Sequence, residues 1–187
     1  PLDFLNTMGA APLSLGGRIA ANWSGDDDGF SAAATVAGRV SDSVQWLLTG
    51  TSRKAGALRN LGVNDEPNIN RTLPNPQTNR GESMLGKLVL RPTATQKHVL
   101  TIEHVGKSAD TELLSSRAAI LPAPTTTAAK ALVAGESDFG SVRRDRMTWD
   151  ARYVLDWAWA DQVQTLVSLQ NSDALENGRT LRNDGGL

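Results

Sequence analysis

The sequence predicts an all-β chain, an antiparallel up-and-down meander of about seven strands forming one segment of a larger transmembrane β-barrel. Three observations carry that expectation. Period-two alternation of apolar and polar residues recurs along most of the length, while helical spacing is scarce. The connections alternate between short and long, as in barrels with tight turns on one side of a membrane and large loops on the other. Aromatic residues on the apolar face gather near strand ends, where a membrane interface would hold them.

Composition sets the outer bounds. The 187 residues contain 19 Lys plus Arg and 20 Asp plus Glu, a net charge of −1, which excludes a broad electrostatic nucleic-acid binder. There is no cysteine, so disulfide scaffolds and thiolate chemistry are excluded. Mean hydropathy is −0.29, and no apolar run approaches the ~20 residues of a membrane-spanning helix. Barrel strands average to the same hydropathy as a soluble domain, because each lipid-facing residue alternates with a polar one. The chain opens at Pro1 and closes on the loop-like run Asn183–Leu187, which reads as a processed chain or an excerpt.

The first strand is expected over about 16–24, with Ile19, Ala21 and Trp23 opposed to Arg18, Ala20 and Asn22. Asp26, Asp27 and Asp28 turn the chain between glycines. A second strand over 29–39 sets Phe30, Ala32, Ala34 and Val36 against a face ending in Arg39. After the turn at 41–43, the third strand, 44–53, alternates Val44, Trp46 and Leu48 with Gln45, Thr49 and Arg53. A long loop is expected around 54–80, rich in Asn and interrupted by three prolines. The fourth strand, 81–91, opposes Met84, Leu88 and Leu90 to Lys87, Val89 and Arg91. The fifth, 97–105, opposes Leu100 and Ile102 to Thr101 and Glu103. A second long loop, around 106–141, carries an alanine-rich run at 127–134 suited to a short helix. The sixth strand places Met147, Trp149, Ala151 and Tyr153 opposite Arg144, Arg146, Thr148, Asp150 and Arg152. The seventh, 162–170, follows a turn around 156–161. A soluble antiparallel sandwich would alternate in the same way; the one-sided loop lengths favour the barrel.

Several short stretches also resemble TonB-dependent outer-membrane receptors. They are Ala34-Thr35-Val36-Ala37-Gly38-Arg39, Trp46-Leu47-Leu48, Asn75-Pro76-Gln77, Leu85-Gly86-Lys87-Leu88, Arg91-Pro92 and His98 through His104. Their order and spacing over about 15–173 are most similar to the haem, haemoglobin and transferrin receptor branch. The resemblance implies a barrel of about 22 strands around an N-terminal plug. Seven strands are roughly its first third, and residues 1–15 would be the connection from plug to barrel. It further implies a transport protein of the bacterial outer membrane, without enzymatic activity. Such a protein captures haem or a haem protein and imports it by coupling to TonB. Siderophore uptake, a passive porin and a soluble β-sheet binding module are the alternatives, in that order. The partners implied are the receptor's own plug, its remaining strands, TonB, outer-membrane lipid and the iron-bearing ligand. No nucleic acid and no intrinsic cofactor are implied, with haem entering only as cargo.

Candidate sites follow from position. In the first long loop Asn68, Asn70, Arg71 and Asn75 are hydrogen-bonding groups suited to a polar ligand, and His104 stands at the outer end of the fifth strand. His104 shares the register of Leu100 and Ile102, which suits an interfacial polar residue more than a ligand to haem iron. Arg39, Arg53, Lys87, Arg91, Glu103, Arg144, Arg146, Asp150 and Arg152 share the opposite register, suited to lining a lumen or meeting a plug. No metal site is expected. His98 and His104 lie six residues apart along a strand, about 20 Å. The Asp26–Asp28 turn is too short to supply the oxygens calcium needs, and reads as a solvated turn. The run Gly81–Lys87 mimics a phosphate loop, but Leu88 stands where Ser or Thr would meet magnesium.

Overall fold

A computed structural model describes residues 15–184. It is a single antiparallel sheet of seven strands in the order of the chain. The strands are β1 (Leu15–Ser24), β2 (Gly29–Ser41), β3 (Val44–Ala55), β4 (Gln77–Leu90), β5 (Gln96–Glu112), β6 (Val133–Trp157) and β7 (Ala160–Arg182). A 3₁₀ turn (Leu114–Ser116) and a one-turn helix α1 (Thr127–Lys130) interrupt the β5–β6 connection. Thr126 caps that helix through its hydroxyl, which accepts from the Ala129 amide at 3.1 Å. Each strand pairs only with its chain neighbours, so among the described residues the outer edges of β1 and β7 carry no strand and the sheet is not closed. The segment expected to join a plug lies outside the described residues, apart from Leu15, which opens β1.

Strand register confirms the alternation in three dimensions. One face carries the row Leu15, Gly38, Trp46, Leu88, Leu100, Trp149 and Val167. The next row on that face is Gly17, Val36, Leu48, Gly86, Ile102, Met147 and Leu169. No second layer covers this apolar face: Ile19 is 84% exposed, Met84 66% and Leu169 69%. Among the described residues the buried apolar side chains are few and small, Ala37, Ala55, Val89, Ala129 and Ala151. The opposite, polar face is stitched by hydroxyl pairs across strands, Thr35 with Thr49 at 2.8 Å and Thr51 with Ser83 at 2.7 Å.

The apolar belt is slanted across the strands. On β1 and β2 it extends up to the directly paired Trp23 and Phe30. On β4 it stops at Met84, and on β5, β6 and β7 at Ile102, Met147 and Leu169. Above that line the same face carries His104, Asp145 and Asn171. Trp46 lies over Gly38, where an added Cβ would stand 2.6 Å from the indole. The β6–β7 hairpin end carries Trp157 against Trp159 at 5.0 Å, and His98 sits stacked at 6.0 Å on Trp149 with Tyr153 edge-on at 5.5 Å.

Three connections lie at one end of the sheet, between β2 and β3, β4 and β5, and β6 and β7, and all are short. The two long ones lie at the other end, spanning 56–76 and 113–132. Both are shorter than the sequence suggests, because β4 starts at Gln77, β5 runs on to Glu112 and β6 starts at Val133. The last strand also continues beyond 170 to Arg182. These extensions are mostly polar on both sides, with isolated apolar residues such as Phe139 and Leu175, so alternation is weak there and the backbone ladder extends the pairing. No helix among the described residues is long and apolar enough to cross a membrane.

Candidate functional site

The candidate site is the polar face of the sheet together with the two long loops above it. Register places Arg39, Arg53, Lys87, Glu103, Arg144, Arg146, Asp150 and Arg152 on this one face, and Arg91 just past the end of β4. They do not form a single cluster. Arg39 meets Asp42 at 3.7 Å, Arg146 meets Glu103 at 3.9 Å, and Arg152 meets Asp150 at 3.5 Å. Gln164 donates to both oxygens of Asp150 at 3.1 Å. Lys87 and Arg144 have no ion pair among the described residues. The face therefore presents neutralised pairs with unpaired cations between them, Lys87 and Arg144 among them.

At the long-loop end the polar face deepens into a hollow of about 830 Å³, lined by Asp27, Arg53, Asn79, Lys107, Asp138 and Glu176 among others. Its anchor is the β1–β2 turn. Asp28 takes a left-handed backbone (φ 47°), which Asp tolerates better than most residues. Asp27 turns inward, where its carboxylate accepts from the Gly29 amide at 3.0 Å and from Arg53 at 2.5 Å. Hydrogen bonding from Ser24, then Arg53, holds the Asp27 carboxyl below the usual carboxylate range against its own burial. Asp28 pairs with Arg59 at 2.9 Å, tying the turn to the first long loop. This turn is thus a built corner rather than a solvated one. Of the six named lining residues, sequence reasoning singled out Arg53 for this face. Asn79, Lys107, Asp138 and Glu176 stand in strand extensions where alternation is too weak to mark them. Their only signal was parity counted outward from the recognised strands.

The first long loop is a self-contained polar fold. The Thr72 hydroxyl accepts from the amides of Val63 at 3.1 Å and Asn64 at 2.9 Å, and Asn60 donates to the Thr72 carbonyl at 2.9 Å. Asn64 donates to the Asn70 carbonyl at 2.8 Å, and Asn68 accepts from the Asn70 amide at 2.8 Å. Arg71 is drawn in, its side chain 5% exposed, pairing with Asp65 at 2.7 Å and donating to the Pro74 carbonyl. Asn75 reaches across to the other loop, where it donates to Ser115 Oγ at 2.9 Å and accepts from its amide at 3.0 Å. The Ile69 amide donates to the Arg117 carbonyl at 2.9 Å, so the two loops are docked on one another. Asn68, Arg71 and Asn75 are thus committed to loop architecture, while Asn70 joins it through its backbone.

His104 lies on the apolar face, away from that hollow. Its Nδ1 is 2.6 Å from Asp145 and its Nε2 is 3.6 Å from Glu82, and Arg143 donates to the second Asp145 oxygen at 2.9 Å. No group of three or more His, Cys, Asp or Glu side chains among the described residues is placed to hold a metal ion. No family model matches this chain, and no curated protein matches it.

Proposed function

We propose that this chain is a wall segment of an outer-membrane β-barrel, part of a TonB-dependent receptor that captures an iron source, haem or a haem protein, and imports it. The observation that supports the barrel is the slanted, exposed apolar belt on a one-layer sheet whose other face is charged. The upper edge of the belt falls by six residues between Trp23 on β1 and Leu169, which shares a row with Gly17. Six residues at about 3.3 Å rise are about 20 Å, and six inter-strand spacings of about 4.8 Å are about 29 Å. A belt lying level in a bilayer then requires strands tilted by about 35°, within the range of membrane barrels. A large contiguous apolar surface facing water would be a liability, whereas facing lipid it is the anchoring surface.

The receptor assignment rests on the resemblance in residues 15–173. In this reading the apolar face contacts lipid and the polar face, with free Lys87 and Arg144, faces a plug or an import path. The docked loops stand outside the membrane as one platform. The chain performs no catalysis; it positions recognition groups and supplies a wall without unpaired backbone in lipid once its edges are joined to further strands. β7 offers an open edge of 23 residues, which calls for another strand.

The test uses the full-length protein. An outer-membrane location, a mobility on gels that changes on heating, and haem binding seen in the Soret region are expected. A soluble, heat-insensitive protein would overturn the barrel. A barrel that binds a ferric siderophore and not haem would move the ligand, and one that passes small solutes without TonB would make it a porin.

A further inference from the structure

The outward charges just above the belt point to a lipid of particular chemistry. Lys54 on β3 and Arg80 on β4 stand directly opposite one another on the apolar face, in the row that begins with Trp23 and Phe30. Ser108 and Ser141 continue that row on β5 and β6. Two like charges opposed across a ladder destabilise it unless an anion answers them. No carboxylate among the described residues does so. Asp145 is taken by His104 and Arg143, and Glu82 faces His104. Lys54 and Arg80 have no ion pair or hydrogen bond with any described residue, and both are exposed. They line a hollow of about 500 Å³ with Glu82, His104, Ser108 and Arg143.

Directly below lies an apolar groove of about 940 Å³ on the same face. Gly50, Gly86 and Ala34 leave its floor open, while Leu48, Met84 and Ile102 form its sides. His104 borders both spaces. The groove opens toward the two cations across the Ser52–Glu82–Gly106 row, and an apolar groove near cations that have no ion pair matches an amphipathic shape, an acyl chain carrying a phosphorylated headgroup. We propose that this groove holds an outer-leaflet lipid, its acyl chain between Leu48, Met84 and Ile102 and its phosphate between Lys54 and Arg80. The inference rests on the barrel reading above. Arg is suited to bind phosphate in a bidentate fork and Lys as a point charge, so the pair would both orient and hold the group.

The test is native mass spectrometry of the full-length protein extracted in mild detergent and washed free of bulk lipid. Wild type is expected to retain a phosphorylated lipid. K54Q/R80Q should lower its occupancy on the order of tenfold or more, since each charge-assisted bond lost costs about one power of ten. K97Q/K130Q removes the same charge elsewhere and should retain the lipid. A heat-modifiable membrane barrel with equal lipid occupancy in all three proteins would overturn the lipid site alone. A barrel that binds inorganic phosphate through these cations but retains no lipid would overturn it too. A soluble, heat-insensitive protein would overturn both the site and the barrel.

Discussion

The two faces of this sheet solve the same backbone problem with opposite side-chain chemistry. On the apolar face large side chains stand exposed, apart from Trp46 lying over Gly38, His98 between Trp149 and Tyr153, and the ionic group of His104, Asp145 and Arg143 above the belt. On the polar face neighbours are joined, hydroxyl to hydroxyl and acid to base, from Thr35–Thr49 at one side to Arg152–Asp150 at the other. A face that completes its contacts internally is suited to water or to an adjustable plug. A face that leaves them open is suited to a solvent that asks for none, the hydrocarbon of a bilayer.

The comparison breaks most visibly if charge is placed on each face in turn, in the full-length protein folded in lipid vesicles. Leu48→Arg at mid-belt is expected to cost about 2–4 kcal/mol of unfolding free energy. Leu85→Arg, on the polar face beside Thr49 and Glu103, should cost less than about 1 kcal/mol. Equal costs measured in denaturant titrations would mean that the two faces do not differ in environment. Glycine substitution gives a smaller effect of the same kind. Gly38→Ala must displace the Trp46 indole and should cost about 1–2 kcal/mol with a shift in tryptophan fluorescence. Gly81→Ala on the polar face meets nothing within 4 Å and should change stability by about 0.5 kcal/mol or less.

The Asp27–Arg53 pair sharpens the polar side. With the Asp27 carboxyl held below its ordinary value, its stabilisation is present above about pH 4 and is lost as pH falls through the folded-state value. Arg53→Gln should therefore flatten the loss of stability in acid while leaving the neutral-pH fold intact. An unchanged acid profile would mean that the pair adds nothing. The smallest expected effect is Thr49→Val, which removes the 2.8 Å bond to Thr35 and should cost about 0.5 kcal/mol.

Legibility in the sequence followed the same division. Wherever one face is apolar, alternation located the strand to within a few residues, as for β1, β2 and β3, and the charged residues it named within the strands share one register face. Beyond the belt, as at 106–112, 133–143 and 171–182, neither face is consistently apolar and the signal weakens although the strands continue. The loop residues have a second task that the sequence did not display. Asn68, Asn70, Arg71 and Asn75 were read as groups suited to a polar ligand; a loop of this length must also satisfy its own backbone, and Asn68, Arg71 and Asn75 serve that end. Lys54 and Arg80 were not singled out, because their significance lies in being opposite one another, which only register reveals.

The plain meander order of the strands carries a consequence for assembly. Each pairing joins chain neighbours, so the sheet can be built by closing one hairpin at a time, with no distant partner to search for. The separations grow only at the two long loops, and the bridge between Asn75 and Ser115 shortens the search that the second of them imposes. The growing front is the free edge of β7, the longest template in the molecule that still has an open side. An open front of that length pairs with any free strand it meets, and a strand of another molecule serves as readily. Covering that edge is therefore as much a requirement of this sheet as the pairing of the strands within it.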